Sequence, residues 1–264
     1  MQDLNIVFIQ TSLFWEDPAA NRVHFDRLID RIQSQPDLII LPETFNTGFP
    51  VDPNKWAEKP GGESFQWLQN KAANTGAVIC ASMLMESGEQ FHNSLIWMRP
   101  DGSHRNYNKR HVFRMGGEHE RINPGDSHLL TRLKGWKIRP MVCYDLRFPV
   151  WCKNTYENGN FEYDLALFVA NWPAARALPW KQLLIARAIE NQAYIIGVNR
   201  IGKDGLGIEY AGDSCLIDAK GQIIASAKSN TEAIIEASIS HTELSSFRAK
   251  FNVGMDWDQF SIKY

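Results

Sequence analysis

The sequence predicts an α/β protein with mixed sheets, built from two similar halves. Three observations lead there. Short β-rich apolar runs alternate with amphipathic helical stretches, Asp101-Gly102 and Lys220-Gly221 each sit between two strand-like runs, and the order of elements in the first half recurs in the second.

In order, residues 4–10 read as a strand, 19–35 as a helix, 37–41 as a strand, 63–75 as a helix and 77–83 as a strand. Apolar strands separated by helices are the pattern of parallel pairing. Runs 94–100 and 104–109 flank Asp101-Gly102, a strong hairpin signal, so antiparallel pairing is expected beside it. The second half gives a strand at 137–144, a helix at 150–158, a strand at 164–170, a helix at 179–191 and a strand at 193–199. It then gives a hairpin of 214–218 and 222–227 around Lys220-Gly221. Asp37-Leu38-Ile39-Ile40-Leu41 matches Asp164-Leu165-Ala166-Leu167-Phe168 in character, and Asn93-Ser94-Leu95-Ile96 matches Asp213-Ser214-Cys215-Leu216-Ile217. Coincidence of short apolar strings is the competing explanation. The common order favours a pseudo-twofold domain in which each half supplies a sheet, the sheets facing each other with helices outside.

With 264 residues the chain is long enough for a substantial core, and one domain over 1–264 is expected. After Glu243 the tail carries Phe251, Trp257, Phe260 and Tyr264, too aromatic for a solvated end, so residues from about 244 onward are expected at a contact with a partner subunit. The formal charge of −2 and 22% charged residues give no reason to expect nucleic acid or an acidic membrane surface as partner, and leave a small molecule. The N-terminal apolar stretch lacks a basic segment before it and reads as a strand rather than a signal peptide, and no run approaches the roughly 20 apolar residues of a membrane span. Cys80, Cys143, Cys152 and Cys215 lack CxxC spacing, which argues against a disulfide scaffold or a zinc site and for the reducing cytoplasm.

Equivalent strand ends of the two halves converge if the symmetry holds, and ligand sites of parallel α/β sheets lie beyond the carboxyl ends of strands. Glu43 and Cys143 follow such strands, as do Asn171 and Trp172. Cys143 stands where a strand can turn into a helix, with free backbone N–H groups able to stabilise a thiolate and an oxyanion; a buried structural cysteine is the equal alternative. Cys80, Cys152 and Cys215 have no such flanks. Glu43 ends an apolar strand at what should be a pocket rim, a setting for a base, and Lys109 after the hairpin could face developing negative charge. Alone, Glu43 reads at least as well as a solvated loop glutamate, and a lysine like Lys109 is more often a surface residue. Residues 109–129 form a polar, Gly-rich stretch of a length that is usually functional.

Together the segments Leu41-Pro42-Glu43, Tyr107-Asn108-Lys109-Arg110-His111 and Val142-Cys143-Tyr144-Asp145-Leu146-Arg147-Phe148-Pro149 resemble the nitrilase superfamily of carbon–nitrogen hydrolases, with Ala188-Ile189-Glu190-Asn191 a further typical segment. The likeness runs over nearly the whole chain. It implies a four-layer αββα sandwich, no cofactor and no metal, a homodimer or larger homo-oligomer, and a Glu-Lys-Cys catalytic set at Glu43, Lys109 and Cys143. The family's additional glutamate precedes a Pro-Gly, here Pro124-Gly125, by either of two spacings. Glu118 fits one and Glu120 the other, Glu118 being preferred.

Cys-Tyr-Asp-Leu-Arg-Phe-Pro and the chain length resemble the omega-amidase branch, which implies hydrolysis of the distal amide of 2-oxo acids such as 2-oxoglutaramate and 2-oxosuccinamate through a cysteine thioester. On that reading the backbone N–H of Tyr144 joins Lys109 at the oxyanion, and Phe45, Trp172 and the loop around Gly116 wall the pocket. A guanidinium then anchors the substrate carboxylate, with Arg176 first, Arg200 second and Arg114 third. An N-carbamoyl hydrolase or a nitrilase of the same superfamily is the alternative, and a binding protein without turnover a more distant one. Competing motifs are weak: no Gly-x-Ser-x-Gly elbow exists, His119-Glu120 lacks the second histidine of a zinc-protease motif, and the glycines form no phosphate loop.

Overall fold

The computed structural model describes residues 2–50 and 52–262. The expected apolar runs become the strands of two six-stranded sheets. The first half supplies β1 (Leu4–Gln10), β2 (Leu38–Ile40), β3 (Val78–Ser87), β4 (Gln90–Met98) and β5 (His104–Asn108). The second supplies β6 (Thr131–Leu133), β7 (Trp136–Val142), β8 (Leu165–Ala170), β9 (Tyr194–Asn199), β10 (Cys215–Ile217) and β11 (Ile223–Ser226). A late strand that the sequence reading did not anticipate, β12 (Ala233–Ile239), returns to the first sheet.

The sheet orders are β12-β1-β2-β3-β4-β5 and β6-β7-β8-β9-β10-β11. Read in that order, both sheets pair antiparallel, parallel, parallel, antiparallel, antiparallel. The repeat seen in the letters is thus a repeat of topology. Its one departure is that β12, which corresponds to β6, comes from the far end of the chain and pairs along all of β1, from Leu4 with Ile239 to Gln10 with Ala233.

Alternation along the strands builds the layers. Leu4, Ile6 and Phe8 of β1 share an apolar cluster with Leu165, Leu167 and Ile196 of the second sheet, and these residues lie between the sheets. Val7 and Ile9 point the other way, onto Phe25, Leu28 and Leu68 of the helices α1 (Pro18–Ile29) and α2 (Glu63–Thr75). The second sheet is covered by α3 (Ala177–Asn191), whose Trp180 and Leu184 lie so close to β9 that a Cβ at Gly197 would stand 2.4 Å from Leu184 Cδ1. Glycine is required there because helix and strand touch.

Three boundaries depart from the expectation. The first helix stops at Ile29 rather than 35, because the N–H groups of Gln33 and Ser34 are taken by the Glu236 carboxylate of β12 at 3.0 and 2.9 Å. The helix expected at 150–158 is only Pro149–Cys152; beyond it Asn158 and Gly159, both at positive φ, turn a small hairpin of Tyr156–Glu157 and Asn160–Phe161. The aromatic tail is not free either: it opens with α4 (His241–Lys250), and Trp257 packs edge-on to Phe161 under the Lys153 ammonium. Phe251 and Phe260 remain exposed, and Tyr264 lies outside the described residues.

The tail is fastened by Arg248. Its guanidinium donates to Asp164 Oδ1 at 2.6 Å and to the carbonyls of Tyr163 and Gln192, and lies 3.9 Å from the Phe161 ring centre. Because the replacement would leave Asp164 buried without its cation, Arg248→Ala is expected to cost about 3 to 5 kcal/mol of stability in denaturant unfolding, against less than about 0.5 kcal/mol for exposed Lys250→Ala.

Candidate active site

At the end of β7 the backbone turns abruptly. Cys143 has φ of 43°, a left-handed conformation unusual for a residue with a Cβ, and begins the 3-10 turn Cys143–Arg147. Asp145, fully buried, holds this elbow. Its Oδ2 accepts the Val142 N–H at 3.0 Å and the Tyr107 hydroxyl at 2.7 Å; its Oδ1 accepts the His111 N–H at 3.0 Å and lies 2.8 Å from the His111 ring Nδ1. One carboxylate thereby ties the Cys143 turn to the chain on both sides of Lys109. Sequence reasoning read Asp145 only as a letter of the motif, although a carboxylate two residues past an apolar strand was the available signal.

Lys109, at the end of β5, is 1% exposed and has two carboxylates beside it. Nζ donates to Glu43 Oε1 at 2.9 Å and to Glu118 Oε2 and Oε1 at 2.9 and 3.2 Å. Glu43, fully buried beyond β2, also accepts the Asn93 side-chain amide on Oε1 at 2.9 Å and the Asn171 N–H on Oε2 at 2.7 Å. The Asn171 side chain in turn donates to Glu43 O and Thr44 Oγ1, both at 2.8 Å, locking the ends of β2 and β8 together across the sandwich. Glu118 opens a 3-10 turn, Glu118–Glu120, and accepts the Phe113 N–H. Glu120 of the same turn is exposed.

Burial pulls the Lys109 ammonium toward deprotonation, but the charges of Glu118 and Glu43 outweigh it and the net direction is up. The Cys143 thiol is pushed well above its usual range, first by burial and then by the charge and hydrogen bond of Glu43, with Lys109 partly opposing. Both shifts favour the protonated forms, a neutral thiol on Cys143 and an ammonium on Lys109. Burial pushes Cys152 and Cys215 up to about 12 as well, and Cys80 higher still.

Lys109, Cys143 and Asn171 open onto a pocket. Tyr144, Trp172, Gly116 and Arg176 line it, as the strand positions suggested. Phe45 does not. It is fully buried in the layer outside the first sheet, stacked on Trp67 at 5.4 Å, because Thr44 at φ 42° turns the chain and Phe45 bonds back to Ser82 of β3; Phe49 takes the pocket position instead. Arg200 is also excluded: it is buried, donates to the carbonyls of Leu13 and Ile201 and lies over the Tyr210 ring. Arg114 is exposed in the turn Arg114–Gly116 and does not reach the pocket. Arg147, which sequence reasoning passed over as another motif letter, does reach it, with its guanidinium 4.8 Å from the Trp172 ring centre.

The sequence profile of the carbon–nitrogen hydrolases matches residues 6–249. The chain belongs to the carbon–nitrogen hydrolase family. This hydrolase is 44% identical to an omega-amidase, YafV, of Yersinia enterocolitica over 99% of this chain and all of that one. It is 30% identical to a 2-oxoglutaramate amidase of Bacillus subtilis over 93% of this chain and 94% of that one. Among solved structures, a CN-hydrolase superfamily protein of Xanthomonas campestris with an arsenic adduct in its active site superposes with a TM-score of 0.96 at 43% identity, each chain fully covered. A nitrilase-superfamily protein of Saccharomyces cerevisiae shares the fold at a TM-score of 0.82 and 23% identity, covering 96% of this chain and 95% of that one.

In the hydrolase the two candidate glutamates now differ in place: Glu118 touches Lys109 and Glu120 faces solvent. Glu118→Gln is expected to lower amide turnover by at least about 100-fold and Glu120→Gln by less than about twofold, measured as ammonia release at saturating substrate.

Proposed function

We propose that this chain hydrolyses the distal amide of short 2-oxo dicarboxylate monoamides, of the kind represented by 2-oxoglutaramate and 2-oxosuccinamate, to the 2-oxo acid and ammonia. In this mechanism Glu43 takes the proton of the Cys143 thiol as the sulfur attacks the amide carbon. The resulting oxyanion is held by the Lys109 ammonium and by the N–H of Tyr144, in the first turn of a 3-10 helix where N–H groups are free of the helix ladder. Protonated Glu43 gives its proton to the departing amine, releasing ammonia and leaving a thioester. Water, deprotonated by the same carboxylate, attacks that thioester, and the second oxyanion collapses to free the acid and the thiol. Glu118 keeps Lys109 directed at the reacting carbon and orients the substrate amide.

The observation that carries the substrate class is a pair of cations in the pocket wall. Arg147 and Arg176, the latter 5.4 Å from the Phe113 ring centre, both line the pocket, and neither has an ion pair with a carboxylate among the described residues. Asp204 lines the same pocket without an ion pair to either guanidinium; its Oδ1 accepts the N–H groups of Leu206 and Ile208 and its Oδ2 the Tyr210 hydroxyl, all at 2.9 Å, and its charge acts on Arg200. Two guanidinium groups held over aromatic faces suit a substrate carboxylate and its adjacent oxo group. The omega-amidase and 2-oxoglutaramate amidase relatives support the same class.

The reading extends to location and assembly. Four free cysteines favour the cytoplasm, and among the described residues no helix is long and apolar enough to cross a membrane. Exposed Phe251, Met255 and Phe260 favour burial against another copy, as a homodimer or larger assembly.

The test compares 2-oxosuccinamate with an uncharged amide of similar length. Arg147→Met and Arg176→Met are each expected to lower kcat/KM for the oxo-acid amide by about 2 to 4 kcal/mol while barely changing the uncharged one, and Cys143→Ala is expected to abolish both. Equal losses on the two amides would remove the anionic-substrate reading.

A further inference from the structure

The cluster that surrounds Lys109 contains a fourth member whose chemistry the mechanism leaves unused. Asn93 sits on β4, opposite Leu84 of β3, and is fully buried. Its side-chain Nδ2 is shared between the two carboxylates, 2.9 Å from Glu43 Oε1 and 3.4 Å from Glu118 Oε1. Its backbone carbonyl accepts the Lys109 N–H at 2.9 Å, so the same residue also sets the height of Lys109 above the sheet. Its side-chain Oδ1 is buried with no partner.

The orphaned oxygen says what the amide is for. A flipped amide would direct its oxygen at two carboxylates, and the repulsion exceeds the loss of one carbonyl bond, so both N–H donors are committed to the glutamates. The charge count says why a donor is needed. Two carboxylates and one ammonium, walled from water, leave one negative charge in excess, and two carboxylates so close tend to share a proton. A shared proton would occupy Glu43 before the thiol could deliver its own.

We propose that Asn93 is a positioning residue that holds Glu43 and Glu118 as two separately ionised carboxylates around one lysine, keeping Glu43 free to accept the thiol proton. The inference rests on the reading of Glu43 as the base, not on the identity of the substrate. Asn93 does not line the pocket, so its action is through the glutamates and not on the substrate. The titratable groups facing the cluster are Glu43 beyond β2, Lys109 beyond β5, Glu118 in its 3-10 turn and Cys143 at the elbow, with Tyr210 coupled to Glu43 at longer range.

The experiment measures alkylation of Cys143 by iodoacetamide in the full-length protein between pH 5 and pH 9, a reaction that needs the base but no 2-oxo acid. Asn93→Ala is expected to move the acid limb of the rate profile to higher pH by about one unit, slowing labelling about tenfold on the acid side while the alkaline plateau is retained. Asn93→Asp, which adds a third carboxylate, should move it further, and Asn93→Ser, which keeps one donor, should move it less. In 2-oxosuccinamate hydrolysis the same variants should lower kcat with KM unchanged. A purely structural role predicts a uniform fall in rate with the limb unmoved. That result, or an unchanged profile in all three variants, overturns the proposal. Asn93→Ser serves as the measurement if the other two fail to fold. If the parent does not hydrolyse 2-oxosuccinamate but its labelling profile still responds to Asn93, the substrate reading fails and this inference stands. If Glu43→Gln leaves the parent profile intact, the base assignment fails and this inference with it.

Discussion

Everything in the site depends on one buried ammonium lying 2.9 Å from each of two carboxylates. Without Lys109, neither Glu43 nor Glu118 could remain charged inside the sandwich, because taking a carboxylate out of water costs far more than the fold's net stability. With it, both are held, and burial together with the cluster's excess of negative charge keeps the Cys143 proton in place until a substrate gives the sulfur somewhere to go. Neutral nucleophile and charged base are thus two aspects of the same electrostatic arrangement. The residues come from four separate stretches of chain, so the fold is the device that sums their charges.

The scaffold makes that summation reproducible. Glu43 and Asn171 follow corresponding strands of the two sheets and are bonded to each other, while Asp145 links the Cys143 turn to Tyr107 and His111 on either side of Lys109. The left-handed backbone at Cys143 is tolerated because Asp145 closes the turn from inside, through the Val142 N–H. The elbow sets the direction of the Cys143 Cα–Cβ bond, and the residue lines the pocket that Lys109 also lines.

Much of this was legible before the structure. Strand-end positions made Glu43, Lys109 and Cys143 candidates, each with a structural alternative, and only the motifs shared with the carbon–nitrogen hydrolases joined them into a catalytic set; the repeated order of elements announced the twofold topology. What failed were features set by a single backbone angle or by distant partners. Phe45 was assigned to the pocket by its position after a strand, but Thr44 at positive φ reverses the facing of the chain. Arg200 looked like an anchor by position and turned out to be bound to backbone carbonyls. Arg147 was hidden inside a motif whose other letters drew the attention. Glu118 and Glu120 differ only by their places in one 3-10 turn, which spacing cannot resolve. The hairpin at Asn158-Gly159 is the exception: its turn signal was present in the letters, and a helical reading overrode it.

The pairing of β12 with β1 has a consequence for how the protein comes into being on the ribosome. Residues 11–232 are made between β1 and its outer partner, so its outer edge stays unpaired until residues 233–239 follow, and over that interval an apolar strand presents open N–H and C=O groups to its surroundings. Contacts of such long sequence separation are slow to form. The second sheet, whose strands run from Thr131 to Ser226, is completed only just before β12 is made. The nascent chain is therefore most exposed to aggregation in the interval before β12 is made, and a chaperone that shields β1 would act on the segment that waits longest for its partner.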